Sequence, residues 1–166
     1  MNLIAAVDNN WGIGKNGDLL VSLPEDQKGT FRACTYGGTV VYGRKTLATF
    51  PKGRLLPGRK NIVLSRDPLF YVEGATVLHS IEDVLLYEKE HPEESIWIIG
   101  GAEIYQAFLP YSEEAVITHI DHAFDADAYF PDLSKLKDWS RVCVSPVVHS
   151  EKGLDFVVTR YRRRDD

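Results

Sequence analysis

Three strand-to-helix junctions in this sequence carry groups suited to binding phosphate. At the first, the apolar run 39–42 leads into Gly43, Arg44, Lys45 and Thr46, which would set backbone N–H groups, a hydroxyl and two cations at a helix start. The second runs Ile98, Ile99, Gly100, Gly101, Ala102, where paired glycines let a ligand approach the backbone closely. The third, Leu64-Ser65-Arg66, ends another strand with a hydroxyl and a cation. No G-x-x-x-x-G-K-[ST] occurs, and the Gly100-Gly101 junction lacks G-x-G-x-x-G, so neither a P-loop nor an ordinary Rossmann site is indicated there.

Taken singly, each junction also fits a plain turn or a packing glycine. Together they suit one extended ligand with several phosphates, lying across the strand ends where open α/β sheets bind ligands. Because a guanidinium grips phosphate bidentately, Arg44 and Arg66 favour a cofactor with an extra phosphate, NADP over NAD.

Asp26 lies in Leu23-Pro24-Glu25-Asp26, with proline at a first-turn position and two acids behind it. Two readings are open. The helix dipole alone favours acids there, but a carboxylate turned into an apolar interior would have a raised pKa and could serve proton chemistry. Other chemistries lack their motifs. His119 and His122 have no ligand companions at zinc spacing, Asp121, Asp125 and Asp127 lack the EF-hand pattern, and no G-x-S-x-G elbow is present.

The elements that must position these groups follow from periodicity. Runs at 2–8, 39–42, 61–65, 76–78 and 95–99 are short, apolar and β-branched, as strands buried on both faces are. Helix patterns fall between them at 25–35, 43–49, 81–90 and 102–109, the third opened by Ser80 with Asp83 three residues on. This alternation predicts an α/β fold with a mostly parallel sheet. After residue 113 the segments 114–120, 139–148 and 154–161 follow without a helix. The last two, joined across residues 149–153, read as an antiparallel hairpin closing the sheet. Two long loops remain, 9–22 and 50–60. The first, with Gly12, Gly14 and Gly17, fits either a mobile lid or a plain glycine-rich turn.

At 166 residues, 44% apolar and 26% charged, the chain is expected to form one domain over 1–166. A net charge of -5 argues against nucleic acid or an anionic membrane as partner. Arg160, Arg162, Arg163 and Arg164, followed by Asp165 and Asp166, read as a solvated chain end. The N-terminus has no basic region and too short an apolar run for a signal peptide, and Cys34 and Cys143 read as free thiols. A cytoplasmic monomer is the expectation.

In order along nearly the whole chain, the stretches LIAAVDNNWGIGKNGDLL, LPEDQK, TVVYGRKT, LPGRKNIVLSR, IIGGAEIYQAFLP, ITHID and DAYFPD resemble the dihydrofolate reductase family. The resemblance implies an eight-stranded, mostly parallel sheet with an antiparallel C-terminal strand and four flanking helices. It implies NADPH as cofactor and dihydrofolate as substrate. Asp26 would bind the pterin's pyrimidine edge, with Thr118 sharing that network. Ile4, Ala6, Phe31, Phe50 and Leu56 would line the pocket, and Arg59 would hold the α-carboxylate of the glutamate tail. Ala6, Ile13 and Leu19 would flank the nicotinamide, with Gly14 in the loop that closes over it. Gly43, Arg44, Lys45 and Thr46, then Leu64, Ser65 and Arg66, then Ile99, Gly100, Gly101, Ala102, Glu103, Ile104 and Tyr105 would cradle phosphates and adenosine, with His79 near the adenosine phosphate. The family joins its glycine pair by a cis peptide.

The sequence departs from the family pattern in three places. Val21 stands where many bacterial relatives carry tryptophan, the segment Lys28 to Phe31 is one residue longer than is common, and Pro51 to Leu55 is slightly extended. Two rival readings are a pyrimidine reductase of riboflavin synthesis, which shares the fold and the cofactor half, and a silent NADPH-binding protein. Asp26 after Leu-Pro and Arg59 within Leu-Pro-Gly-Arg favour folate over both.

Overall fold

The computed structural model describes residues 1–164. In chain order the strands are β1 (Asn2–Val7), β2 (Gly12–Lys15), β3 (Asp18–Leu19), β4 (Thr39–Gly43), β5 (Lys60–Leu64), β6 (Thr76–Leu78), β7 (Ile96–Gly100), β8 (Glu114–Ile120), β9 (Ala128–Tyr129), β10 (Trp139–Val144), β11 (Val148–His149) and β12 (Asp155–Arg163). The helices are α1 (Arg32–Thr35), which continues a π-helical segment Asp26–Phe31, then α2 (Arg44–Leu47), α3 (Ile81–Glu90) and α4 (Ala102–Phe108).

Nine strands form the main sheet, eight of them in the order β10-β12-β8-β1-β7-β4-β5-β6, with the short β11 paired to β12. From β8 to β6 every pairing is parallel, and β12 joins β8 and β10 antiparallel. The expected architecture is therefore the one observed. Alternation along each strand explains the burial. On β1, Leu3 and Val7 enter a core with Val84, Tyr105 and Phe108 on the α3/α4 side, while Ile4 enters a second core with Phe31, Phe50 and Leu56 on the α1/α2 side.

Four details differ from the sequence expectation. The 9–22 loop is part sheet: Asn16 and Gly17 both have positive φ and form a two-residue turn between β2 and β3, and β2 pairs with β9 on its other edge. Asn-Gly is the strongest short-range hairpin signal, because both turn positions need φ above zero. Buried Asp8 fixes the root of this small sheet, its carboxylate accepting from the N–H groups of Asn10 (2.9 Å), Gly12 (2.7 Å) and Phe124 (2.9 Å).

Secondly, the expected strand 139–148 is broken at Ser145-Pro146, since proline cannot donate to a ladder. The tight hairpin is β11 with β12. Thirdly, Arg160, Arg162 and Arg163 belong to β12, so the basic end is part of the sheet, still exposed at Arg160, Arg162 and Arg164; Asp165 and Asp166 lie outside the described residues. Arg162 pairs with Glu114 at 2.9 Å, and Arg163 donates to the carbonyls of Ser112 and Leu109 with its guanidinium 4.9 Å from the Trp139 ring centroid.

The fourth is the π-helical turn, which absorbs the extra residue in 28–31. In an α-helix Phe31 would lie roughly 140° around the axis from Asp26. At roughly 4.4 residues per turn the angle falls to about 50°, so both side chains face the sheet.

Candidate functional site

The three glycine and hydroxyl junctions come together because β7, β4 and β5 are adjacent and in register. Gly43 pairs with Leu64, and Tyr42 pairs with Gly100. Gly43 and Gly101 are the N-cap residues of α2 and α4, so two helix starts point to one end of the sheet. The Gly100-Gly101 peptide is cis. Thr46 lies against both glycines, and a Cβ on Gly43 would press on Ile104, so the floor of this groove is bare backbone. Around it, His79 Nδ1 donates to the Ser65 carbonyl at 2.8 Å. Arg44 lies 4.3 Å from the Phe70 ring centroid and 3.8 Å from the Asp67 carboxylate. Lys45, Arg66 and Glu103 are exposed at the rim, and Ala102 begins α4.

Asp26 occupies the α1/α2 side of the sheet, nine-tenths buried. Thr118 on β8 donates to its Oδ1 at 2.6 Å. Burial pushes the carboxyl pKa up, while hydrogen bonds from Thr118 and, more weakly, Thr30 oppose the shift. Thr118 is paired in register with Ala6, and Ile4 lies two residues back on the same face. Ile4, Phe31, Phe50, Leu56 and Ile99 all pack into one apolar cluster beside this carboxylate. The dipole reading of Asp26 is thus insufficient, since Glu25 turns the other way to accept from Ser150 (2.8 Å) and the backbone of Glu151 (2.9 Å).

Arg59 lies at the end of the same cluster. Its guanidinium is 5.8 Å from the Phe31 ring centroid, and its Nε donates to the Pro57 carbonyl at 3.0 Å. Gly58 before it has φ +74°, and a Cβ there would run into the Tyr36 ring, so this turn needs glycine. Tyr105 is buried, its hydroxyl donating to the Ile4 carbonyl at 2.7 Å.

Two expected residues are not gathered here. Leu19, on β3, is 55% exposed, and Ile13 packs into the cluster on the α3/α4 side. Gly14 is buried in β2, its carbonyl accepting from Asp127 N–H at 2.9 Å. A cavity of about 630 Å³ is bounded by Arg59 but lies at the opposite strand ends, near Thr39 and Ser95.

Sequence reasoning missed Asn61. It is buried, receives the Tyr42 hydroxyl (2.8 Å) and Leu56 N–H (3.1 Å), and donates to the carbonyls of Leu56 and Arg59 (3.0 Å each). A polar residue at the start of an apolar strand is the only signal that could have flagged it. Asn61→Ala strands the buried Tyr42 hydroxyl and frees the loop that carries Leu56 and Arg59. A loss of about 2–4 kcal/mol in urea unfolding is expected.

Among the described residues no group of three or more His, Cys, Asp or Glu side chains could hold a metal. Comparison with known proteins agrees with the geometry. The family model described as dihydrofolate reductase matches residues 1–163. Dihydrofolate reductases of Bacillus subtilis and Staphylococcus haemolyticus are 36% and 35% identical, covering 99% and 98% of this chain and 95% of each relative. A solved structure of dihydrofolate reductase from Enterococcus faecalis, complexed with NADP(H) and RAB-propyl, superposes with a TM-score of 0.88 at 33% identity, covering 99% of this chain and 96% of that one. With the matches running end to end and the buried carboxylate, arginine and glycine junctions assembled along one sheet, the chain belongs to the dihydrofolate reductase family.

Proposed function

We propose that the protein reduces 7,8-dihydrofolate to 5,6,7,8-tetrahydrofolate at the expense of NADPH, supplying one-carbon metabolism. The observation that carries this reading is the buried Asp26 carboxylate, bonded to Thr118 in an apolar cleft that ends at Arg59.

In this reading Asp26, held by Thr118, accepts the amino and ring N–H groups of the pyrimidine edge. Ile4, Ala6, Phe31, Phe50 and Leu56 exclude water from the ring, and Arg59 grips the glutamate α-carboxylate. The raised pKa of Asp26 favours arrival of a proton at N5 through water, which makes C6 electrophilic. Asp26 is thus substrate anchor and promoter of protonation rather than direct donor.

The cofactor groove meets the chemical requirements of a dinucleotide with an extra phosphate: bare glycine backbone, two helix starts, hydroxyls, and cations at the rim. Gly43, Arg44, Lys45, Thr46, Leu64, Ser65, Arg66 and His79 would hold one part of it, and Ile99, Gly100, Gly101, Ala102, Glu103, Ile104 and Tyr105 the other. Ala6, Ile13, Gly14 and Leu19 would close on the nicotinamide end. When bound, NADPH supplies the hydride. We further propose that residues 1–166 act as one domain, as a monomer in the cytoplasm; among the described residues no helix is long and apolar enough to cross a membrane.

Consumption of NADPH with dihydrofolate, followed as loss of nicotinamide absorbance, tests the reading. Turnover with dihydrofolate and none with a ribosylaminopyrimidine phosphate is expected. No turnover with dihydrofolate would overturn it.

A further inference from the structure

Asp67 is an acid set among groups suited to holding a phosphate. It follows Ser65 and Arg66 past the end of β5, and its Oδ2 lies 3.8 Å from Nη1 of Arg44 at the start of α2. Among the described residues Lys45 and Arg66 form no ion pair, so of these three cations only Arg44 is already engaged by a carboxylate.

The dipeptide Asp67-Pro68 explains part of this arrangement, because aspartate before proline opens a tight turn. Phe70 N–H closes the turn on the Asp67 carbonyl (3.1 Å), Leu69 N–H donates to Asp67 Oδ1 (2.9 Å), and Asp67 N–H donates to Ser65 Oγ (3.2 Å). Asparagine or serine would close such a turn as well, so it uses one oxygen of the carboxylate and has no need of the charge. The second oxygen is left toward Arg44, whose guanidinium also lies 4.3 Å from the ring centroid of Phe70, the last residue of the same turn. One short segment thus holds the guanidinium with both an aromatic face and a negative charge.

Both members of the pair are about half exposed, so water screens their attraction, and a phosphate monoester with nearly two charges can displace the carboxylate from Arg44. Asp67 then stays tethered through Oδ1 beside that phosphate, and the like charges repel. A ribose without the phosphate presents a hydroxyl instead, which a carboxylate accepts, as acids do at the 2′-hydroxyl of NAD in Rossmann sites. Resting on the reading of this groove as the NADPH site, we propose that Asp67 is a specificity-determining residue: it opposes the 2′-phosphate, offers an acceptor to a free ribose 2′-hydroxyl, and so narrows the preference for NADPH over NADH.

The test is equilibrium titration of the protein with NADPH and with NADH, read by nicotinamide fluorescence with no folate present, for the wild type, Asp67→Asn and Asp67→Ser. Both replacements keep an acceptor for Leu69 N–H and remove the charge. At low salt both variants should bind NADPH about 5- to 20-fold more tightly and NADH about 3- to 10-fold more weakly. At about 0.5 M salt, where screening acts within a few ångströms, the NADPH gain should shrink to about twofold or less. A merely structural role would move both coenzymes in the same direction and would not respond to salt. Unchanged NADPH affinity, NADH affinity that holds or rises, or an NADPH gain indifferent to salt would each overturn the proposal. Failure of the wild type to bind either coenzyme would overturn the reading of the groove itself, so the two failures are distinguishable.

Discussion

Asp26→Asn is expected to slow hydride transfer to dihydrofolate by about 100- to 10,000-fold at neutral pH, the range that loss of a positioned acid–base group produces. The replacement is nearly isosteric, and its carbonyl can still accept from Thr118, so the loss would report charge and not a collapsed site. As the pH falls, solvent protonates the substrate without help, and the gap between variant and wild type should narrow. Stability should move the other way. The folded-state pKa of Asp26 lies above its unfolded value, so the folded protein binds the proton more tightly. The stabilisation from that proton is full below the ordinary carboxylate range and is lost as the pH rises through the raised folded value. Asn never ionises. The variant should therefore melt above the wild type at neutral pH, with the difference closing in acid. Wild-type turnover by the variant at neutral pH would remove Asp26 from the mechanism.

Arg59→Lys comes second in expected size. A guanidinium holds a carboxylate with two parallel hydrogen bonds where an ammonium offers a point charge, so KM for dihydrofolate should rise by about 10- to 100-fold. Burial and the nearby Arg32 lower the Arg59 pKa, which marks a site that gains from an incoming anion. NADPH affinity should not change, since the cofactor groove lies at other strand ends. A substrate shortened to remove the glutamate should be turned over equally by both proteins. A fall in NADPH affinity, or equal damage with the shortened substrate, would move Arg59 out of the tail site.

Most of the sheet was legible because its strands are short β-branched runs, and a parallel sheet buried on both faces leaves that pattern in the sequence. The junction glycines were legible as possible ligand contacts, but only strand order brings Gly43, Leu64 and Gly100 side by side, and order is set by pairings far apart in the chain. Asp26 could not be separated from Glu25 by composition, since both suit a helix start. The outcome depended on Thr118, 92 residues away, and on a π-turn that no local propensity announces. The roles of Asp8 and Asn61 were hidden for a similar reason: a polar residue holding loop N–H groups has no periodic signature. Leu19 and Ile13 were assigned by resemblance, and their placement depends on how the β2-β3 hairpin sits over the cleft.

The position of β1 bears on how the chain must be made. Residues 2–7 leave the ribosome well before both their sheet neighbours, β7 and β8, which lie roughly a hundred residues later. Until residue 100 has emerged the central strand has two open edges, and until β8 follows one edge stays open and Asp26 has no Thr118. A nascent chain arrested before β8 should lack a stable sheet and remain sensitive to protease, and its early strands would need shielding from edge-to-edge association. The same topology makes β1 and β8 a natural pair for fragment complementation: two pieces divided within 91–95, between α3 and β7, would leave Asp26 in one and Thr118 in the other, and only their reunion would restore the carboxylate's environment.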